Sequence, residues 1–244
     1  MSKGRIVDLS YGDEKKQTTT QRHPLGTKGE LPDGRLFRYS FSDGAITAGL
    51  MLQTKVAIAE DDMDVVVAAA AAAKATSISI TTVAAILADE YKDGFLYVND
   101  GAGQGQAFRL GSHLAAGAAA TLVLNLAEGE EVITALAAAT SLVGLKWNRY
   151  KDVIVSPTTI TGIPVGATPM DVADNRYFWA QVRGEAAILV AGTAVVSKAG
   201  IVPGNVAGGV APQVDAGGDD PVVCWFAAPV GVDTDYAHVF LRVE

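Results

Sequence analysis

The 244-residue chain is long enough for one large all-β domain or for two small ones. Its net charge of −8, with no basic block, argues against direct nucleic-acid binding, because phosphate neutralisation requires clustered Lys and Arg. The longest apolar stretch, residues 65–73, is far shorter than the about 20 residues that cross a bilayer, and no signal-peptide pattern follows Met1. We therefore expect a soluble protein that is made in the cytosol.

Hydrophobic residues make up 49% of the chain and charged residues only 19%, and much of the apolar share is Ala and Val. Each small side chain buries little area, and burial stabilises by roughly 25 cal/mol per Å² of apolar surface. We therefore expect stability to come from many small contacts or from surface that is buried against partners.

The first 34 residues are polar and rich in turn formers, and residues 15–24 contain almost no large apolar side chain. Such a segment cannot bury enough surface to fold alone. The sequence predicts an extended N-terminal arm over residues 1–34, either disordered or ordered along a neighbouring subunit. A Pro-Asp-Gly turn at residues 32–34 then starts an all-β body over residues 35–244, with a possible sub-boundary near residue 150.

Within the body, short runs of alternating or β-branched residues are separated by Gly and Pro, which predicts antiparallel strands. The predicted strands span residues 35–41 and 45–53 (a hairpin), two stretches within 64–82, two within 93–110, and 121–126, 151–156, 177–182, 186–190, 194–197, 222–227 and 237–243.

Two stretches of the body are ambiguous. Residues 68–73 are all Ala, the best helix former, but their β-branched flanks favour strand, small-residue turn and strand. Residues 131–143 fit either a short helix or a loop. Residues 200–218 are of low complexity and predict a long surface loop of the kind that often makes contacts.

The spacing of these strands, without alternating helices, predicts an antiparallel β-sandwich or barrel-like fold with short strands and long loops. We find no internal repeat at a fixed period.

The glycine-rich run at residues 101–105 has Gly-x-Gly-x-Gly spacing, and neither a helix nor Gly-Lys-Ser/Thr follows it. We predict a tight turn and not a phosphate-binding loop. The histidines His23, His113 and His238 lack a second donor at i+2 to i+4, so we expect chance surface or interface positions and no metal site.

Three carboxylate pairs lack the spacing of a calcium loop or of an acid–base pair, and we predict that they lie in solvated turns: Asp61-Asp62, Glu130-Glu131 and Asp219-Asp220. Cys224 lies in an apolar run and is expected to be a small buried hydrophobic residue. These patterns predict no catalytic residue, no cofactor and no metal ligand, and hence a protein that is not an enzyme.

Aromatic residues cluster at Tyr177, Phe178 and Trp179, and again at Trp225 and Phe226. Successive side chains of a strand point to opposite faces, so both faces of each strand are partly apolar. Three interpretations remain open, namely domain core, intersubunit contact and a site that stacks a sugar or a base.

Three regions of the chain resemble a family of tailed-bacteriophage virion proteins known as capsid decoration or cement proteins. They are TTTQRHPLGT with LPDGRLF (residues 18–27 and 31–37), DGFLYVNDGAGQGQ (93–106) and RYFWAQVRGEAA (176–187). The resemblance implies a protein on the exterior of a phage head, bound to the major capsid protein as a homotrimer, with no catalytic residues.

On this basis the candidate interface residues are Gln21, Arg22, His23, Pro24, Tyr177, Phe178 and Trp179. We expect the arm to order along a neighbour and the acidic body to make salt-sensitive contacts with basic capsid patches. The alternatives are a tail or baseplate component, a fibre-like receptor binder and, more distantly, a glycan-active enzyme.

Overall fold

A computed structural model describes residues 6–56, 61, 63–159, 161–191, 200–204, 206–212, 223–226 and 233–244. The chain is essentially all-β, as predicted, with 42% of its residues in strands and 2% in helix. A 3-10 helix spans Asp13–Lys15. In chain order the strands are β1 (Val7–Asp8), β2 (Lys28–Glu30), β3 (Leu36–Phe41), β4 (Met51–Gln53), β5 (Val65–Val66), β6 (Ser77–Thr81), β7 (Phe95–Asp100), β8 (Ala107–His113), β9 (Thr121–Leu126), β10 (Leu142–Lys146), β11 (Ile154–Val155), β12 (Pro164–Ala167), β13 (Tyr177–Leu189), β14 (Gly200–Pro203), β15 (Val210–Pro212), β16 (Cys224–Phe226) and β17 (Tyr236–Arg242).

The chain divides into two compact units, and the second is inserted into the first. Unit 1 comprises residues 1–56 and 149–244, and unit 2 comprises residues 57–148. The return to unit 1 at Arg149 lies beside the sub-boundary expected near residue 150. The departure after Val56 was not predicted.

Unit 2 is a six-stranded antiparallel sheet in the order β5-β10-β7-β8-β9-β6. The chain just beyond β5 returns to the far edge, where Val67 bridges Ile80 of β6, so the sheet nearly closes into a barrel. Alternate residues point inward and form a core of branched aliphatic side chains, of which Ile78, Ile80 and Leu124 are fully buried.

The alanine-rich stretch after β5 forms strand, turn and strand, as predicted. Val65, Val67, Ile78 and Ile80 are all buried, so the alternation of strands decides the local structure over the helix propensity of Ala. Residues 131–141 form a loop. The glycine-rich run is a tight turn, as predicted. Gly101 has φ +80°, and a side chain at this position would also collide with the carbonyl oxygen of Thr140.

Six loops of the chain share one geometry and associate in three pairs among the described residues. In each pair the two central residues exchange both backbone hydrogen bonds, and the residue three positions later has positive φ in each loop. The central pairs are Ile46 with Val172 in unit 1 and Ala71 with Leu136 and Ile86 with Ala116 in unit 2; the positive-φ residues are Gly49, Asn175, Lys74, Ala139, Asp89 and Ala119. This loop geometry repeats in space, but corresponding positions of the six loops carry different side chains. The repeat is therefore not visible as a period in the sequence.

Unit 1 is built around an 11-stranded sheet whose main path is β1-β2-β3-β13-β17-β16-β14-β15. β13 is 13 residues long and pairs with β3 along its first half and with β17 along its second. The prediction of two strands at 177–182 and 186–190 is therefore wrong, because Gly184 continues the strand with φ +98°.

The predicted hairpin of residues 35–41 with 45–53 is also wrong. β3 pairs with β2 and β13, whereas β4 pairs with β11 and β12. The connection between them is one of the paired loops, because Ile46 bridges Val172 and directs the chain away from β3.

The expectation of an arm over residues 1–34 is wrong for residues 6–34, which belong to unit 1. β2 pairs with β3, β1 pairs with β2, and Thr18 bridges Tyr177. Three isolated apolar residues, Leu9, Leu25 and Leu31, are buried in the same core cluster as the aromatic residues of β13. Because these three leucines are buried, the otherwise polar segment is stabilised by packing against the rest of unit 1.

The predicted surface loop at residues 200–218 contains β14 and β15, which pair antiparallel with Pro203 opposite Val210. The prediction is wrong for residues 200–212, because the β-branched residues Ile201, Val202 and Val210 provide strand propensity between the glycines. The rest of that stretch and the strand predicted at 194–197 lie outside the described residues, as do the side chains of Cys224, Trp225 and Phe226.

Candidate functional site

The aromatic residues that begin β13 form part of the core of unit 1. Phe178 is 1% exposed and Trp179 is 6% exposed, and both belong to the buried cluster that contains Phe37 and Tyr39. Tyr177 is half-buried, with its ring centroid 4.6 Å from that of Phe41. Of the three interpretations left open, domain core therefore applies to Phe178 and Trp179, which present little surface to a partner or ligand.

The other predicted interface residues, 21–24, lie over these rings. The His23 ring centroid is 5.2 Å from that of Tyr39 and 5.5 Å from that of Trp179. The Arg22 backbone N–H donates to the Tyr39 hydroxyl at 3.0 Å, and Gln21 Nε2 donates to the His23 carbonyl oxygen at 3.0 Å.

The structure therefore brings the two predicted interface segments together, but within one chain. Arg22 and Pro24 are exposed, and Gln21 and His23 are half-buried. A groove of about 260 Å³ lies between residues 7–23 and the Tyr39, Tyr177 and Trp179 rings. An ion pair between Lys16 and Asp13 at 2.7 Å lies beside it.

A second polar cluster of unit 1 surrounds the Glu244 side chain. Arg38 Nε donates to Glu244 Oε2 at 2.8 Å, the Tyr150 hydroxyl donates to Oε1, and an Arg149 nitrogen lies 3.8 Å from Oε1. Burial favours the neutral carboxyl, but the hydrogen bonds from Tyr150 and Arg38 outweigh it, so the pKa of Glu244 lies below its usual value. Burial and the same hydrogen bond raise the pKa of Tyr150. The cluster is structural, and no sequence signal connects residues so far apart.

Unit 2 buries two titratable side chains that were predicted at the surface. His113 is 5% exposed; its Nε2 accepts the Tyr91 backbone N–H at 3.0 Å and its Nδ1 is 2.9 Å from the Leu114 carbonyl oxygen. Both bonds are satisfied by a neutral imidazole with its proton on Nδ1.

Asp61 is 2% exposed, and its Oδ2 accepts the Tyr91 hydroxyl at 2.7 Å. Burial and this carboxylate raise the pKa of Tyr91. The prediction of a surface or interface position is wrong for His113, and that of a solvated turn is wrong for Asp61, because both side chains are enclosed by unit 2 and hydrogen-bond within it. Asp62, Asp219 and Asp220 lie outside the described residues. Glu131 is exposed, as expected, and exposed His238 pairs with Glu185 at 2.9 Å.

The most distinctive surface of unit 2 is one that sequence reasoning did not identify. Residues 77–88 and 110–127, thirty positions, contain no Asp, Glu, Lys or Arg, whereas the chain's 19% share of charged residues would place about six there. They form β6, β9, the end of β8 and one pair of loops. We call the exposed side chains of these two stretches the uncharged face.

Large apolar side chains project from the uncharged face. Leu114 is 80% exposed, Leu87 is 72% exposed and Val83 is 53% exposed. They lie on the two loops that Ile86 and Ala116 join, and Val123 of β9 is exposed on the adjoining wall. Two carboxylates border these loops, because Glu90 accepts the Leu87 N–H at 2.7 Å and Asp89 accepts the His113 N–H at 3.0 Å. The other end of the barrel carries Lys74, Glu128 and Glu131 beside one exposed large residue of this kind, Ile133.

Within the ranges that the structure describes, no group of three or more His, Cys, Asp or Glu is placed to hold a metal ion. No helix among those residues is long and apolar enough to span a bilayer. Comparison of the chain with protein-family models, with curated proteins and with solved structures gives no match.

Proposed function

We propose that the chain is a structural, non-enzymatic virion protein that binds the outer surface of a phage capsid lattice as a homotrimer and stabilises the head. The observation that carries the proposal is the uncharged face, where Leu87 and Leu114 are largely exposed in the single chain. Depletion of charge around exposed apolar side chains is typical of the central part of a protein–protein interface.

Two further observations support an assembly function. The buried side chains of His113 and Asp61 and the more exposed carboxylate of Glu244 have hydrogen-bond partners that hold strands and loops together. The regions that resemble decoration proteins include β7, the turn after it and the start of β13, all of which are structural elements.

The mechanism is stabilisation by mass action. A protein that binds only the assembled lattice lowers the free energy of that lattice relative to dissociated subunits, by an amount that grows with free concentration over Kd. The net charge of −8 favours contacts with basic capsid patches, which weaken as salt increases.

The test is reconstitution on purified heads that lack this protein. We expect saturable binding in many copies per head, measured by gel densitometry, and greater resistance of the heads to heat or chelation. Salt should reduce occupancy without unfolding the protein. A copy number of only a few per virion, with labelling at the tail, would contradict the proposal and favour the tail or baseplate alternative. Turnover of a carbohydrate that is lost on changing one carboxylate would contradict its non-enzymatic part.

A further inference from the structure

We infer that the groove between residues 7–23 and the aromatic rings of β3 and β13 is a binding site for a neutral sugar ring. The inference goes beyond the proposed function and does not depend on it, because it concerns a ligand of the free chain. All residues that line the groove belong to unit 1.

The groove is formed by parts of the chain that are fixed in place. Its floor includes the buried rings of Tyr39 and Trp179, whose centroids are 5.1 Å apart. The Tyr39 hydroxyl accepts the Arg22 N–H at 3.0 Å. In the adjoining wall Thr18 and Tyr177 exchange both backbone hydrogen bonds at 2.9 Å. A site that exists before its ligand arrives avoids much of the ordering cost of binding.

Two half-buried rings present apolar surface to the groove. His23 and Tyr177 both line it, and their ring centroids lie 5.2 and 5.8 Å from that of Tyr39. The face of an aromatic ring carries partial negative charge, which attracts the weakly positive C–H groups of a sugar ring. The volume of about 260 Å³ lies just below the range for drug-sized ligands, which begins at about 300 Å³, so the groove suits one such ring.

Polar side chains with unused hydrogen-bonding capacity surround these rings. Asp8 and Arg22 line the groove, and neither side chain has a hydrogen-bond or ion-pair partner among the described residues. Within the same part of the chain, the two ring nitrogens of His23 also have none. One sugar hydroxyl can therefore donate to the Asp8 carboxylate while another accepts from the Arg22 guanidinium.

The charges at the groove favour a ligand without net charge. Lys16 and Asp13 form an ion pair at 2.7 Å, and the hydrogen bonds from Lys16 and from the Ser10 N–H lower the pKa of Asp13. Arg22 and Asp8 add one formal charge of each sign, so the four charges cancel. A phosphate site would instead gather basic side chains without acidic neighbours. A neutral sugar combines an apolar C–H face with several hydroxyl groups and matches this balance.

The experiment measures sugar binding to the full chain by saturation-transfer difference NMR. The neutral probes are glucose, galactose, mannose and N-acetylglucosamine, and the charged probes are glucuronate and glucosamine, each at up to about 50 mM to detect Kd values in the millimolar range. We expect at least one neutral sugar to bind with such a Kd, as expected for so small a ligand. It should bind more tightly than either charged probe.

Two variants test the residues at the groove. Arg22→Ala removes an exposed side chain and should raise the Kd roughly tenfold, which corresponds to one hydrogen bond from a charged group. The matched control is Arg242→Ala, the same change at an exposed arginine of β17 that does not line the groove, and it should leave the Kd unchanged. Asp8→Asn keeps the size of the side chain but leaves a net positive charge, so it should shift the preference toward glucuronate. Thermal unfolding verifies that each variant is folded.

The source of the sugar is distinguished by methyl glycosides of the same sugars. Binding of a methyl glycoside as well as the free sugar would support the inference for the end of a polysaccharide chain, whereas binding of the free sugar alone would support it for a soluble sugar. Failure of all four neutral sugars to bind would overturn the inference, as would tighter binding of a charged probe by the wild type.

The variants provide further outcomes. Equal sugar binding by the wild type and Arg22→Ala would overturn the inference, as would an equal loss of binding in Arg242→Ala. A wild type that binds a neutral sugar but does not bind phage heads would support the inference and contradict only the proposed function.

Discussion

Unit 1 and unit 2 complete their sheets by different means. Unit 2 brings the two edges of its sheet together where Val67, just beyond β5, bridges Ile80 of β6. The sheet of unit 1 stays open at its ends. The N-terminal segment adds β1 and β2 to one edge, and Glu244 links Arg38 of β3 to Tyr150. The difference shows that unit 1, unlike unit 2, needs apolar side chains from its N-terminal segment, such as Leu9, Leu25 and Leu31, to complete its core.

The largest expected effect tests the aromatic core of unit 1. Phe178→Ala should destabilise the protein by about 3 to 5 kcal/mol, because it removes a buried ring and leaves a cavity. The control Phe240→Ala, at a position that is 37% exposed in the same unit, should cost much less. Urea unfolding measures both, and equal effects would contradict the assignment of Phe178 to the core.

The next prediction tests whether the hydrogen bonds of the buried His113 side chain stabilise unit 2. His113→Ala should cost about 1 to 3 kcal/mol, because it leaves the Tyr91 N–H without its acceptor. His238→Ala, in an exposed pair with Glu185, should cost at most about 1 kcal/mol. The same urea experiment compares them, and a neutral result for His113→Ala would show that its hydrogen bonds do not support the loop end.

A smaller effect tests the Glu244 cluster and depends on pH. The pKa of Glu244 is lowered on folding, so its carboxylate stabilises the protein above its ordinary pKa of 4.5, and this contribution is lost as pH falls below that value. Glu244→Gln should cost about 1 to 2 kcal/mol at pH 7, and the difference from wild type should vanish in acid.

The control for this prediction is Glu128→Gln, which changes the same group at an exposed position of unit 2. It should show neither the loss of stability at pH 7 nor the dependence on acid. A difference between Glu244→Gln and wild type that persists unchanged in acid would contradict the electrostatic role of Glu244.

The smallest predicted effect concerns the paired loops, and here the substitution should increase the stability of the protein. Ala139 has φ +61°, so Ala139→Gly removes a left-handed strain of about 1 to 2 kcal/mol and adds an unfolded-state entropy of about 0.5 to 1 kcal/mol. We expect a stabilisation of up to about 1 kcal/mol, measured by thermal unfolding. Ala138→Gly, at the neighbouring exposed position, should destabilise.

The strands that the sequence predicts well are those with strong local patterns. The alternation in residues 95–98 and 121–126 and the glycines at 101–105 are enough to define strands and a turn. The insertion of unit 2 is not predictable in this way, because it depends on which strands pair, and β4 finds its partners only after residue 150. The N-terminal segment was misjudged because Leu9, Leu25 and Leu31 are isolated from one another in sequence.

For the candidate surfaces, too, the sequence shows the local pattern, whereas strand pairing decides which side chains are exposed. That Tyr177, Phe178 and Trp179 belong together is visible in sequence, but which of them is buried depends on pairing with β3. The lack of charge in residues 110–127 is equally visible, but it becomes a surface only through the register of β6 with β9.

In the paired loops the backbone conformation does not depend on which side chain occupies the positive-φ position. Gly, Asn, Lys, Ala and Asp all occupy the positive-φ position, because reciprocal backbone hydrogen bonds fix the conformation. Exposed positions beside the bridges, such as Ala72 and Ala138, can therefore carry other side chains without a change of loop conformation. The backbone of these loops can stay the same while their exposed side chains change, by evolution or by library selection, to bind different partners.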